Sequence, residues 1–239
     1  MLDFIRIACA VPAVRVGDTA KNAEDICAYI EKADGERADI VLFPELALTG
    51  YTCQDLFFQD TLWAGVQQGI RKIADCTKNH PNITAAVGLP VRTGMRLYNC
   101  AAVISRGKIH ALVPKTYIPN YTEFYEKRWF SSGSEVTEDV AELLGEPVPI
   151  LPRAVFRVGG TLLGVEICED MWTPLPPSTF LALNGAEVIL NLSASNETIG
   201  KRAYRRGLVQ HQSAALNCVY AYCSAGSTES TQDLIFSGQ

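Results

Sequence analysis

The sequence predicts an α/β fold, a layered sandwich whose sheets mix parallel and antiparallel strand pairs. Three observations carry that prediction. Short apolar, β-branched runs recur along the chain, stretches of helical length separate some of them, and tight hairpin turns separate others. Helices alternating with strands must cover sheet faces, and hairpins in the same series argue against a purely doubly wound sheet. With 239 residues, 48% of them apolar, the chain can fill a sizeable core.

The elements follow in order. Residues 4–11 (FIRIACAV) give the first strand, and the helix-length stretch 19–34 follows. Residues 39–44 (DIVLFP) form the second strand, ahead of a longer helical stretch over 55–78. Strands over 83–90, 101–105 and 109–114 come next, the last two joined by the turn SRGK (105–108). Residues 122–152, rich in charge, Pro and Gly, read as a long excursion across the surface, of the kind that is usually functional or mobile. A second hairpin turn, VGG (158–160), leads into the strand 161–168 (TLLGVEIC). Strands over 187–193, 218–224 and 233–236 and a helix over 201–217 complete the series. No repeat, low-complexity tract or domain boundary interrupts it, so residues 1–239 read as one domain.

Composition removes several function classes. Lys and Arg number 21 against 26 Asp and Glu, a formal charge of −5, so no basic face is advertised and nucleic-acid binding is not expected. The longest stretch free of charged residues, 207–228, contains Gln210, His211, Gln212 and Asn217 and is too polar for a bilayer span. Asp3 and Arg6 interrupt the amino terminus, which lacks the apolar run of a signal peptide, and a cytoplasmic protein is expected. The eight cysteines include no CxxC pair, and the three histidines lack partners at ligand spacing, so neither a metal site nor a disulfide framework is expected.

Three strands end by delivering one reactive side chain: Glu45 after IVLFP, Lys115 after IHALVP, and Cys168 after TLLGVEI. The carboxyl ends of strands form the usual active-site rim of α/β sheets, although spacing alone does not bring these three together. A carboxylate, an amine and a thiol suffice for acyl transfer without histidine. The carboxylate takes the thiol proton, the thiolate attacks, and the ammonium stabilises charge on the substrate oxygen. The turn Cys168-Glu169-Asp170 is also a place where a backbone N–H can face that oxygen. Taken singly, a strand-end Cys is most often a buried hydrophobe, and a Glu or Lys a solvated terminus.

The words around these residues decide between the two. LFPELALTGY (42–51), LVPKTYIPNYTEFYEKRWF (112–130) and LLGVEICEDMW (162–172) resemble, in order and separation, the three catalytic signatures of the nitrilase superfamily. The tyrosine-rich second segment, the CEDMW ending, NLSASN (191–196) and STESTQDLIFSG (227–238) resemble more particularly the amino-terminal glutaminase domain of glutamine-dependent NAD synthetases. The resemblance implies an α-β-β-α sandwich truncated before the family's last strands. It makes Cys168 the nucleophile, Glu45 the general base, Lys115 the oxyanion-stabilising cation, and Glu126 the second glutamate that holds the lysine and the substrate amide. Tyr121, Ser195 and Lys201 fall where the family binds the backbone end of glutamine. Glu169 is a further candidate there, for the α-ammonium. Some relatives carry arginine at the position of Lys201, which a lysine replaces without the bidentate grip.

The activity implied is hydrolysis of the side-chain amide of L-glutamine. The ammonia passes to a synthetase domain that uses ATP, Mg and deamido-NAD to make NAD, within a homo-oligomer. Neither an SGGxDS-type loop nor GxxxxGK[ST] occurs in the chain, so the chain is expected to hold no cofactor and the synthetase domain is expected downstream. Two other readings stay open. One is a stand-alone hydrolase of other amides or nitriles, and the other is an inactive assembly module of the same fold. A Cys-His hydrolase finds no histidine in a suitable setting.

Overall fold

The computed structural model describes residues 4–239. Asp3, which the reading of the amino terminus uses, lies outside the described residues. One sheet contains β1 (Ile7–Cys9), β2 (Ile40–Leu42), β3 (Thr84–Thr93), β4 (Arg96–Ser105) and β5 (Lys108–Pro114), adjacent in that order. Its first three strands are parallel and its last three antiparallel. Helices α1 (Thr19–Gly35) and α2 (Asp60–Asn79) supply the crossovers. After β5 come two small hairpins, β6 (Asn120–Tyr121) with β7 (Phe124–Tyr125) and β8 (Val140–Leu143) with β9 (Glu146–Pro149). The second sheet contains β10 (Val155–Val158), β11 (Thr161–Ile167), β12 (Val188–Ser193) and β13 (Val219–Ser224), of which only the first pair is antiparallel. Helices α3 (Pro177–Leu183) and α4 (Lys201–Leu216) connect its parallel strands.

Two periodicities build the layers. Along β2 successive side chains point to opposite faces, so Val41 and the following Phe43 meet the helices while Ile40 and Leu42 meet the other sheet. On α1 the residues Ala23, Ile26 and Ile30, and on α2 Val66, Ile70 and Ile73, recur every three or four positions and form the apolar stripes that cover that face. Between the sheets, Ile40, Leu42 and Val103 pack with Val165, Ile167 and Leu190. On the far side Leu181 of α3 packs with Ile189 and Cys218. The layers therefore run helix, sheet, sheet, helix.

Three sequence expectations need correction. Residues 233–236 are not a strand: Leu234 O accepts from Thr231 N–H (2.7 Å), Ile235 O from Glu197 N–H (2.7 Å), and Phe236 N–H donates to Ser230 Oγ (3.0 Å), so this backbone is satisfied by a local turn and isolated bonds. Its apolar character serves burial, with Phe236 edge-on to Tyr51 at 5.9 Å. The helix expected over 55–78 is a 3₁₀ segment, Tyr51–Phe58, followed by α2, with extended backbone at Gln59 between them. Residues 122–152 are less of a surface excursion than their composition suggests, because the alternation in β8 buries Ala141 and Leu143, and Val148 and Ile150 join them in the helix-side core.

The turn after β2 is held against the middle of β3 by a close backbone approach at Gly88. A Cβ there would lie 2.3 Å from Leu46 N, 2.5 Å from Pro44 O and 2.8 Å from Glu45 C. Only a residue without a side chain lets β3 run against the turn that carries Glu45. Gly88→Ala is expected to destabilise the chain by about 3 kcal/mol, an overpacking cost with no flexible neighbour to yield, measured by urea unfolding. An unchanged unfolding midpoint would contradict this packing.

Candidate active site

Each strand-end residue leaves its strand at one common rim. After β2 the chain turns at Pro44, and Glu45 N–H donates to Ser193 O at the end of β12 (3.2 Å). Lys115 follows β5, its N–H donating to Asn99 O (2.8 Å) and its carbonyl accepting from Gly133 N–H (2.7 Å). Glu126 opens a 3₁₀ turn just after β7. The side chains of Glu45, Lys115 and Glu126 are fully or almost fully buried. Lys115 Nζ donates to Glu45 Oε1 (2.6 Å) and to both oxygens of Glu126 (2.8 and 2.9 Å). Tyr51 OH donates to Glu126 Oε1 (2.7 Å) and Asn99 Nδ2 to Glu45 Oε1 (2.6 Å), whereas Glu45 Oε2 is buried without a partner.

The electrostatics follow from one ammonium facing two carboxylates. Burial alone would depress the Lys115 ammonium, but the charges of Glu126 and Glu45 override it and hold its pKa well above the ordinary value. Glu126 is pushed up to about 7, first by burial and then by Glu45, with Lys115 opposing. Lys115 is thus a fixed cation, and Glu126 takes up a proton more readily than a free glutamate.

Cys168 begins the turn after β11 with φ of 46°, a left-handed conformation that is strained for a residue with a Cβ. Several bonds hold it there. Cys168 N–H donates to Asn191 Oδ1 (3.3 Å), and the buried Asp170 carboxylate accepts from the N–H groups of Ile167 (3.0 Å), Thr116 (3.1 Å) and Tyr117 (2.8 Å). Asp170 thereby ties this turn to the segment just after Lys115. The Cys168 N–H is committed to Asn191. The thiol is raised by burial and by the charge of Glu45, with Lys115 and the Ala194 N–H pulling the other way. It rests as a neutral thiol.

The remaining sequence candidates form a polar group around this core. Tyr121, half exposed, donates from its hydroxyl to both oxygens of Glu169 (2.9 and 3.0 Å). Burial raises Glu169, while the Tyr121 hydrogen bond and the charges of Lys115 and Lys201 act against it. Lys201 Nζ donates to Asn196 Oδ1 and lies over the rings of Trp172 (5.4 Å) and Phe124 (5.7 Å). Ser195 is buried, its N–H donating to Ser224 Oγ (3.1 Å) and its Oγ accepting from Arg205 Nη1 (3.3 Å). An open cleft of about 670 Å³, lined in part by Tyr117, Tyr121, Arg153, Glu169 and Thr173, adjoins this group.

Sequence reasoning missed several participants. Arg205, buried one turn beyond Lys201, grips Ser195, Glu197 and Gln239, and only its place on the inward face of α4 could have signalled it. Asn99 and Tyr51 orient the two glutamates. The buried Tyr222 hydroxyl has no partner, and burial raises its pKa. Among the described residues, no group of three or more His, Cys, Asp or Glu could hold a metal ion, and no helix is long and apolar enough to cross a membrane.

Behind the cluster, Glu229 Oε2 accepts from Tyr51 N–H (2.6 Å) while Oε1 has no partner. Burial pushes Glu229 up from 4.5 to about 8, opposed by that hydrogen bond. The native state therefore binds a proton that the unfolded chain releases, and this stabilisation, complete below about pH 4.5, is lost as pH rises through about 8. Glu229→Gln is expected to flatten the fall in stability across that window by up to about 1.4 kcal/mol per pH unit, the equivalent of one proton. Urea unfolding at several pH values measures it. Equal slopes in both proteins would contradict the buried, protonated carboxyl.

The profile of the carbon-nitrogen hydrolase family matches residues 6–239. The glutamine-dependent NAD(+) synthetase of Mycobacterium leprae is 37% identical over 240 residues, which cover 99% of this chain and 35% of that protein. The chain thus spans about a third of the length of the curated relatives it matches. Among solved structures, the glutamine-dependent NAD+ synthetase of Acinetobacter baumannii, in complex with ADP, superposes with a TM-score of 0.84 at 26% identity, over 98% of this chain and 40% of that one. An amidase from Nesterenkonia sp. shares the fold, with a TM-score of 0.76 at 22% identity, over 97% of this chain and 79% of that one. The chain belongs to the carbon-nitrogen hydrolase (nitrilase) family and is homologous over nearly its full length to part of the glutamine-dependent NAD(+) synthetases.

Proposed function

We propose that this chain hydrolyses the side-chain amide of L-glutamine through a glutamyl thioester on Cys168. The observation that carries the reading is the buried ion cluster beside that cysteine, in which Glu45 Oε2 is the one carboxylate oxygen left without a partner. In the first half of the reaction Glu45 takes the thiol proton, the thiolate attacks the amide carbon, and Lys115 stabilises the negative oxygen. The N–H of Glu169, early in a 3₁₀ turn where donors lack internal acceptors, is a second candidate to face that oxygen. The proton held by Glu45 then passes to the departing nitrogen, and ammonia leaves. In the second half Glu45 takes a proton from water, which attacks the thioester, and glutamate is released as the proton returns to the sulfur. Glu126 and Tyr51 fix the position of Lys115 throughout.

Glutamine is favoured over a simple amide by the surrounding charges. A substrate with an α-carboxylate and an α-ammonium needs a dedicated partner for each once water is excluded. Lys201, with Ser195 held by Arg205, suits the carboxylate, and Glu169, with Tyr121, suits the ammonium. The likeness to glutamine-dependent NAD(+) synthetases supports the same choice. We extend the proposal to the fate of the ammonia: it serves a synthetase domain that converts deamido-NAD to NAD with ATP.

Two measurements test this reading. Cys168→Ala and Cys168→Ser are both expected to abolish ammonia release from L-glutamine, because a carboxylate does not readily deprotonate an alcohol. A serine variant with most of the activity would exclude the thioester. Lys201→Ala is expected to raise KM for glutamine about 10- to 100-fold, the value of a charged hydrogen bond, with a smaller change in kcat and little effect on butyramide, which lacks both charges. If butyramide is the better substrate of the native chain, or the substitution affects both substrates alike, the glutamine assignment fails.

A further inference from the structure

Helices α1 and α2 form the outer layer on the first sheet, and each brings one cysteine to their shared surface. Cys27 on α1 and Cys76 on α2 are both free and partly exposed, and they are neighbours across the packed helices. Each thiol reaches across to the other helix: Cys76 Sγ lies 3.9 Å from Cys27 O, and Cys27 Sγ lies 3.9 Å from Lys72 O. Together with Glu24, Glu31, Lys72 and His80 they line an open groove of about 710 Å³, so a small molecule can reach both sulfurs. Neither takes part in the cluster around Cys168.

We propose that Cys27 and Cys76 form a surface dithiol that exchanges with low-molecular-weight disulfides and closes into a bond between α1 and α2. The surroundings of the two sulfurs divide the roles. Cys76 is pulled down to about 7, first by Cys27 and also by His80 against the effect of burial, while Cys27 is pushed up by the same contact. Cys76 is therefore the attacking thiolate. It attacks one sulfur of oxidised glutathione, the S–S bond breaks, and one glutathione thiolate departs, leaving a mixed disulfide. Cys27 then gives up its proton to solvent and attacks the Cys76 sulfur, and the second glutathione leaves. The two protein thiols are oxidised to a disulfide, and the glutathione disulfide is reduced to two thiols. The bond joins positions 49 apart in sequence, which restricts the unfolded chain and stabilises the fold.

The test incubates the native chain with oxidised glutathione at neutral pH, followed by digestion without reductant and mass spectrometry. The expected result is a pair of peptides linked through Cys27 and Cys76, with no lasting glutathione adduct on either residue. The thermal midpoint should rise by roughly 5 °C or more and return after dithiothreitol. In Cys27→Ser the adduct should remain on Cys76. A glutathione adduct that persists on Cys76 in the native chain, or an unmodified Cys76 while the exposed Cys9 reacts, would overturn the proposal.

Discussion

A lysine ammonium without solvent exposure, hydrogen-bonded to two carboxylates, is the constraint around which this molecule is arranged. Removing any member leaves an uncompensated buried charge, which is far costlier than the net contribution of the intact group. The three side chains come from three separate segments, so their meeting fixes the end of β2, the end of β5 and the long segment after it in one geometry. Several features read as consequences: the close approach of Gly88, the Tyr51 and Asn99 hydrogen bonds to the glutamates, and the Asp170 carboxylate that ties the cysteine turn to the segment after Lys115.

In the proposed reaction, the same arrangement lets a raised thiol serve as the nucleophile. Burial and the Glu45 charge keep Cys168 protonated at rest, and the only relief is transfer of its proton to a carboxylate that already shares an ammonium. In that proposed reaction charge stays inside the cluster throughout attack, and the preorganised ammonium needs no rearrangement when negative charge appears on the substrate. The strained backbone of Cys168 is held by Asn191 and Asp170. The rim, where strands from both sheets end, is thereby rigid, while the outer helices are free to carry unrelated chemistry such as the Cys27 and Cys76 pair.

Much of this was legible before any coordinates. Glu45, Lys115 and Cys168 stand out because each interrupts an apolar run where a strand must stop, and the layered architecture follows from alternating helical and two-residue periods. Glu126 was legible only through family resemblance, since a charged segment otherwise reads as solvated. Its burial depends on Tyr51 and Lys115, partners 75 and 11 positions away that no local pattern exposes. Arg205 and Asn99 were missed for the same reason, and residues 233–236 misled because apolar residues buried by a turn look like a strand when its neighbours are unseen. The hairpin β8–β9 was hidden by Pro and Gly, although its alternation is plain once its partner face is known.

The most direct test of the central claim is acid-quench mass spectrometry of the chain during turnover of L-glutamine, comparing the native protein with Glu45→Gln. The account predicts a glutamyl adduct on the Cys168 peptide of the native chain and none in the variant, because the amide cannot accept the thiol proton. Ammonia release without any adduct on Cys168, or an equal adduct in the variant, would contradict it.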